Sequence, residues 1–240
     1  MKLFFVEPSP FSRKARVVAL LKDISLDLVK VMPGDEKLLK FNMLGQLPIL
    51  ILDDGQCIID STPICKYLDR LPSCNESVMP KTKNLSGLAI QKNYYLADGI
   101  IVAAVKIVYE RKRPIQLQSV EEIAKQQSKI NNALIAIRNL MEFGADSTFG
   151  EKINIFHITL ACALGYLDFR IPDLNWRLEN DKLNEWYRLF SQHSFMIETE
   201  PEKTFVNVLN NNMHFNTNRS TDIGSKQDTN SQDNVVNFNL

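Results

Sequence analysis

"LPILILDDGQCIIDSTPICKYLD", residues 47–69, holds two apolar runs, a turn and a change of period. The runs at 47–52 and 57–60 read as two strands, and Asp53-Asp54-Gly55 between them is a hairpin signal, because Asp-Gly supplies the backbone conformations a tight strand reversal needs. Ser61 followed by Pro63 marks a helix start, with a serine at the cap and a proline in the first turn. A hairpin that runs directly into a helix is half of a small α/β domain.

The other half lies upstream. Residues 2–6 read as a strand, Phe11, Ala15, Val18 and Leu21 recur at helical spacing, and 26–31 reads as a second strand. That is a βαβ unit, which favours parallel strands with a right-handed crossover. After a Pro33-Gly34 break and a short helix at 36–41, the order is β-α-β-α-β-β-α, and it fills 1–73. Two prolines and several polar residues at 72–84 break the pattern, so 74–84 is expected to be a linker.

From 85 to 209 the period is helical. Leu85, Leu88, Ala89, Leu96, Ile100, Ala103 and Ile107 predict a long helix that ends before Pro114. Ile130, Ala133, Leu134, Ile137, Leu140 and Met141 predict a second one. "IFHITLACALGYLDF", residues 155–169, is apolar on almost every face, as the central helix of a bundle should be, with Ala161 and Gly165 permitting close approach. Short helices are expected at 181–190 and around Phe195. Residues 210–240 are too polar to offset their ordering entropy and are expected to form a disordered tail.

Composition narrows the function classes. Lys plus Arg and Asp plus Glu both total 28, so no global field draws the chain to nucleic acid or an anionic membrane. The longest apolar runs, 47–52 and 100–105, fall far short of the roughly 20 residues a membrane helix needs, and Glu7-Pro8 ends the first apolar run before a secretion signal is complete. A soluble, cytoplasmic protein is expected. Cysteines 57, 65, 74 and 162 have no two-residue gap between any pair, so neither a zinc knuckle nor a dithiol motif can be drawn and no metal is expected. Cys57 and Cys162 read as small buried hydrophobes.

Three segments carry a resemblance. "SPFSRKARV" at 9–17, "LGQLPIL" at 44–50 and "DGQCIIDSTPICKYLD" at 54–69 resemble, in that order, the first-helix entry, glutathione-loop motif and third-helix entry of the serine-type glutathione transferases. "LADGI" at 96–100 and "ACALGYLDFR" at 161–170 look most like bacterial homologues of the YibF type. The resemblance spans roughly 1–200 and implies a thioredoxin-like N-terminal domain, a helical-bundle C-terminal domain, glutathione as co-substrate and a homodimer.

It also implies roles for particular residues. A free thiol has a pKa of about 8.5, so at neutral pH most of it is the unreactive acid. A glutathione sulfur at the start of the Pro10 helix would meet unpaired N–H groups and the positive end of the helix dipole, and a hydroxyl donated by Ser9 would favour the thiolate further. Alternatively, Ser9 is an ordinary helix cap. Ser12, also in the first turn, is a second candidate hydroxyl, with a solvent-facing helix residue as its plain reading. In the family the proline at position 48 is cis and the residue before it, here Leu47, pairs with the cysteinyl backbone. The plain alternative is a trans proline at a strand start. Gln46 stands where relatives often have lysine, which weakens a contact to the glycyl carboxylate.

Asp60 suits the γ-glutamyl ammonium and Ser61 its carboxylate, and both also suit the helix start alone. Phe11 is placed to line the sulfur pocket, or to join the core with Ala15 and Val18. The electrophile pocket is expected near Tyr109 and Arg111, where the run Arg111-Lys112-Arg113 would attract an anion or simply complement a helix C-terminus. His157 replaces an aspartate that caps the buried helix in many relatives, which puts that helix's stability in doubt, although Asn154 can serve as its cap. His193 and His214 are read as surface residues.

Two function classes remain. One is a glutathione-dependent transferase that attacks a small electrophile or a disulfide. The other is a non-catalytic scaffold or regulatory binding module of the same fold. A dithiol oxidoreductase is disfavoured, since Ser9 and Ser12 occupy the turn its cysteines would need.

Overall fold

Leu3 and Phe5 are buried on a strand whose alternate residues face outward, and this strand, β1 (Lys2–Phe5), is one of the two inner strands of the sheet. In the computed structural model, which describes residues 1–73, 75–143, 149–150 and 152–202, β1 pairs in parallel with β2 (Asp27–Lys30) and antiparallel with β3 (Ile49–Ile51). β3 pairs antiparallel with β4 (Cys57–Ile59), so the strand order is β2-β1-β3-β4. The reversal between β3 and β4 closes with Leu52 N–H donating to the Gln56 carbonyl at 2.8 Å, and Gly55 sits at φ 84°, where a side chain would be strained.

Helix α1 (Pro10–Leu21) follows β1 and packs against α2 (Ser61–Arg70), which also lies on β3 and β4. Ala15, Val18, Ile64 and Leu68 are fully buried in this layer. The segment expected as a short helix at 36–41 is a single 3-10 turn, Glu36–Leu38, capped by the Asp35 carboxylate.

The helical part comprises α3 (Leu85–Arg111), α4 (Val120–Phe143), α5 (Ile155–Arg170), α6 (Asp181–Phe190) and the single turn α7 (Ser194–Ile197). α3 packs along both α4 and α5, and α5 also meets α1. Twelve of the residues of α5 are buried, as expected for a helix apolar on all sides. At Gly165 an added Cβ would lie 2.8 Å from both the Arg13 guanidinium and the Tyr187 hydroxyl, so the absent side chain is what lets these groups approach.

Three expectations need correction. Cys57 is exposed: β4 is an edge strand whose inward residue is Ile58, while Cys65 and Cys162 are the buried thiols among the described residues. The cap of α2 is Asp60, with Ser61 as the first helical residue. His157 takes part in the cap of α5. The Asn154 side chain accepts from the Phe156 and His157 N–H groups, and the Asn154 N–H donates to His157 Nδ1 at 3.4 Å, so an imidazole completes a reciprocal capping box. His193 is exposed as expected and stacks on Phe195, whereas His214 and the 210–240 tail lie outside the described residues.

The end of the described chain is tied to its beginning. Arg13 donates to the Met196 carbonyl at 2.9 Å and to Thr199 Oγ1 at 3.3 Å, and Arg16 donates to the Glu198 carbonyl at 3.2 Å. No helix among the described residues is long and apolar enough to cross a membrane.

Candidate active site

The register of the sheet brings three of the singled-out segments to one end. Phe4 lies opposite Ile49 and Ile49 opposite Ile59, so the residues next in line are the exit of β1 toward Ser9, the entry of β3 at Leu47-Pro48, and the exit of β4 at Asp60-Ser61. A strand's end thus becomes a shared floor for two helix N-termini and one free strand entry.

At the first of these, Ser9 caps α1: its hydroxyl oxygen accepts from the Ser12 N–H at 3.2 Å, and its carbonyl accepts the first helical bond, from Arg13, at 2.9 Å. Pro10 has no N–H. The Phe11 N–H is therefore left open in the first turn among the described residues, beside a half-buried Ser9 hydroxyl whose own proton has no acceptor there. The cap reading of Ser9 is the one the geometry shows, and it uses the oxygen's lone pair while leaving its proton free. Ser12 differs from its solvent-facing reading: it is fully buried, and its hydroxyl has no partner among the described residues. The Phe11 ring packs half-buried against the core.

At the second, the Leu47-Pro48 peptide bond is cis. The Asn42 side-chain amide donates to the Gln46 carbonyl at 2.8 Å, which holds the approach to β3. Leu47 makes no hydrogen bond among the described residues, so one N–H and one C=O remain exposed to an extended ligand. The Gln46 side chain is exposed and uncharged.

At the third, Asp60 holds φ 71°, a conformation uncommon outside glycine, and its carboxylate accepts from the Thr62 N–H at 2.8 Å. The Ser61 side chain is buried beside this strained residue, and its hydroxyl makes no hydrogen bond among the described residues. The open N–H at this helix start and the Ser61 hydroxyl suit a carboxylate, and the remaining Asp60 oxygen suits an ammonium.

Beneath these two helix starts runs a polar chain that sequence reading did not single out. The fully buried Lys14 ammonium donates to Asp98 Oδ1 at 2.8 Å and to the Tyr94 hydroxyl at 3.1 Å, and the Tyr94 and Thr62 hydroxyls lie 2.6 Å apart. Burial works against the Lys14 charge, but Cys65, Tyr94 and Asp98 around it hold it above the ordinary lysine range. Burial pushes the Cys65 thiol up to about 12 despite Lys14, and raises Cys162 as well, so neither is a nucleophile near neutrality. The signal was available: Lys14 shares a helical face with Phe11 and Val18, and Asp98 interrupts an apolar run.

Of the two electrophile-pocket residues, Tyr109 is 61% exposed at the end of α3. Arg111 is engaged: Asp173 accepts two hydrogen bonds from its guanidinium, at 2.8 and 2.6 Å. No group of three or more His, Cys, Asp or Glu side chains placed to hold a metal ion occurs among the described residues.

A mixed four-stranded sheet with a cis-proline at a strand entry, followed by an all-helical part, defines a thioredoxin-like domain carrying a helical domain. Residues 3–76 match the family model of the glutathione S-transferase N-terminal domain and residues 120–189 that of the C-terminal domain. The uncharacterized GST-like protein YibF of Escherichia coli (strain K12) is 34% identical over 206 residues, which cover 85% of this chain and 100% of that protein. The chain belongs to the glutathione S-transferase family.

Among solved structures, a glutathione S-transferase from Methylobacillus flagellatus KT with glutathione bound is 32% identical with a TM-score of 0.76, over 84% of this chain and 99% of that one. A family member from Pseudomonas fluorescens Pf-5 with bound S-(propanoic acid)-glutathione is 32% identical with a TM-score of 0.72, over 84% of this chain and 100% of that one.

Proposed function

We propose that the chain is a serine-type glutathione transferase. Glutathione lies along the open end of the sheet, its cysteinyl backbone paired with Leu47, its γ-glutamyl carboxylate at Ser61 and its ammonium at Asp60. The sulfur sits at the mouth of α1, where the Phe11 N–H and the Ser9 hydroxyl both donate to the thiolate. The thiol proton goes to solvent, the sulfur attacks an electrophilic carbon, and the leaving group departs with its electron pair. A Ser9 that caps with its oxygen and keeps its proton free is the observation that carries this reading. The glutathione held by the Methylobacillus flagellatus relative supports the ligand.

Spectroscopic titration of bound glutathione tests it. The thiol should ionise well below about 8.5, and Ser9→Ala should raise that bound pKa by about one unit, the value of one hydrogen bond to a charged group. A bound thiol that titrates as it does in water rules the activation out. The neutral, exposed Gln46 favours the second reading, a binding module without turnover; retention on immobilised glutathione together with inactivity toward several electrophiles would select it.

The partner is inferred to be a second copy. Leu85, Leu88, Tyr95 and Val102, exposed by 86, 48, 56 and 38%, fall on one face of α3, and sedimentation equilibrium should return twice the chain mass. Three free thiols among the described residues accord with a reducing compartment such as the cytoplasm.

A further inference from the structure

The run Arg111-Lys112-Arg113 is not one basic patch. Arg111 is held by Asp173, and Arg113 pairs with Glu110 at 2.8 Å. Asp168, on the neighbouring helix end, is taken by Arg177 at 2.5 and 2.8 Å. Lys112 is left over. So is Arg170, the last residue of α5, whose Nε is buried with no hydrogen-bond partner among the described residues. Neither cation has a carboxylate within ion-pair distance among the described residues, and each lies over a ring, Lys112 over Tyr109 at 5.2 Å and Arg170 over Phe169 at 4.8 Å.

Helix-end complementarity does not account for this pair. The carbonyl of Arg111, the last residue of α3, and that of Arg113 just beyond it already accept from the Gln118 side chain at 3.0 and 2.8 Å. A cation serving only the dipole of α5 would extend into water rather than bury a donor without an acceptor. Burial presses the Arg170 guanidinium below its ordinary value, and partial burial followed by the Arg170 charge does the same to Lys112. The Tyr166 hydroxyl, held up to about 12 by burial, stands one helical turn before Arg170 on the same face of α5 and adds a third donor. The Arg111–Asp173 pair holds the end of α3 beside the end of α5, so Lys112, Arg170 and Tyr166 gather at one place with no carboxylate within ion-pair distance of either cation among the described residues, which is the composition of an anion site with an aromatic wall at the exposed Tyr109 ring.

We propose that Lys112, Arg170 and Tyr166 hold a carboxylate or sulfonate on the electrophile, with Tyr109 against its apolar body. This rests on the glutathione reading and makes the preferred substrate an anionic one. With 4-chloro-3-nitrobenzoate as probe, the thiolate attacks the ring carbon that bears chlorine. The C–S bond forms, the C–Cl bond breaks, chloride leaves with the electron pair, and nothing is oxidised or reduced.

The test compares this benzoate with 4-chloro-3-nitrobenzamide in turnover, and the two glutathione conjugates they yield in calorimetry. The wild-type chain should show about a tenfold lower KM for the acid and bind its conjugate about tenfold tighter, the range of one charge-assisted hydrogen bond. Lys112→Gln, a surface change, should remove most of that preference with glutathione affinity unchanged; Arg170→Gln should do the same, and Arg170→Lys should retain part of it. Equal affinity for acid and amide conjugates in the wild type, or a preference that survives both Gln variants, overturns the anion site and leaves the transferase reading intact. If glutathione itself does not bind, the transferase reading fails and the anion site falls with it.

Discussion

The Tyr94 hydroxyl lies 2.6 Å from the Thr62 hydroxyl and 3.1 Å from the Lys14 ammonium, so one side chain of α3 ties the first turn of α2 to the core of α1. Tyr94→Phe keeps the ring and removes that tie, leaving a buried ammonium short of one acceptor. It should cost about 1–3 kcal/mol in denaturant unfolding, the penalty of an unsatisfied buried group. Because the same turn carries Ser61, retention on immobilised glutathione should weaken in parallel. Unchanged stability would mean that solvent reaches Lys14 once the hydroxyl is gone.

The pair Asn154 and His157 makes a cap that a neutral imidazole can complete. His157→Ala should destabilise the chain by about 1 kcal/mol, and His157→Asp, which restores an acceptor at the same place, should recover most of it. Thermal melting of the two variants beside the wild type checks this.

Gly165 lies where Arg13 and Tyr187 close on α5. Gly165→Ala inserts a methyl group at 2.8 Å from both, and Arg13 is not free to yield because Met196 and Thr199 accept its hydrogen bonds. Overpacking of this kind costs about 1–3 kcal/mol. A variant that melts with the wild type would show that Tyr187 swings aside without penalty.

The hydrogen bond from Arg111 holds the Asp173 carboxyl below its ordinary value of 3.8. A native pKa below the unfolded one stabilises the fold at pH values above the unfolded value, and that contribution disappears as pH falls through the native value. Asp173→Asn should therefore melt slightly below the wild type at pH 7, with the gap closing on acidification toward pH 3. Asp173 is 55% exposed, so the gap will be small. A gap that widens in acid would contradict the assignment.

Reactivity should separate the cysteines. Native-state alkylation followed by peptide mapping should label the exposed Cys57 and spare Cys65 and Cys162, whose burial keeps them protonated and covered.

The hairpin at Asp53-Asp54-Gly55, the βαβ unit and the long helices were legible in the sequence because each rests on a local signal: a turn residue, a period of two, or a period near four. Ser9, Leu47-Pro48 and Asp60-Ser61 could be singled out as candidates because the family motif is contiguous at each. Cys57 was misread because nothing in a strand's sequence says whether it lies at the edge of the sheet. Ser12 was misread because α1 is enclosed on more faces than its apolar spacing suggests. The Lys14, Tyr94, Asp98 and Thr62 chain, and the isolation of Lys112 from its neighbours, depend on residues 32 to 84 positions apart or on ion pairs whose other members lie on different elements. No local pattern encodes such pairings.

Arg13 and Arg16 look for acceptors 183 and 182 residues further along the chain. On the ribosome, the opening helix therefore emerges with guanidinium groups that have nowhere to dock until Met196 and Glu198 have been made. The first domain is expected to wait in an unfinished form, and shortening the chain ahead of Met196 should leave it in that form permanently.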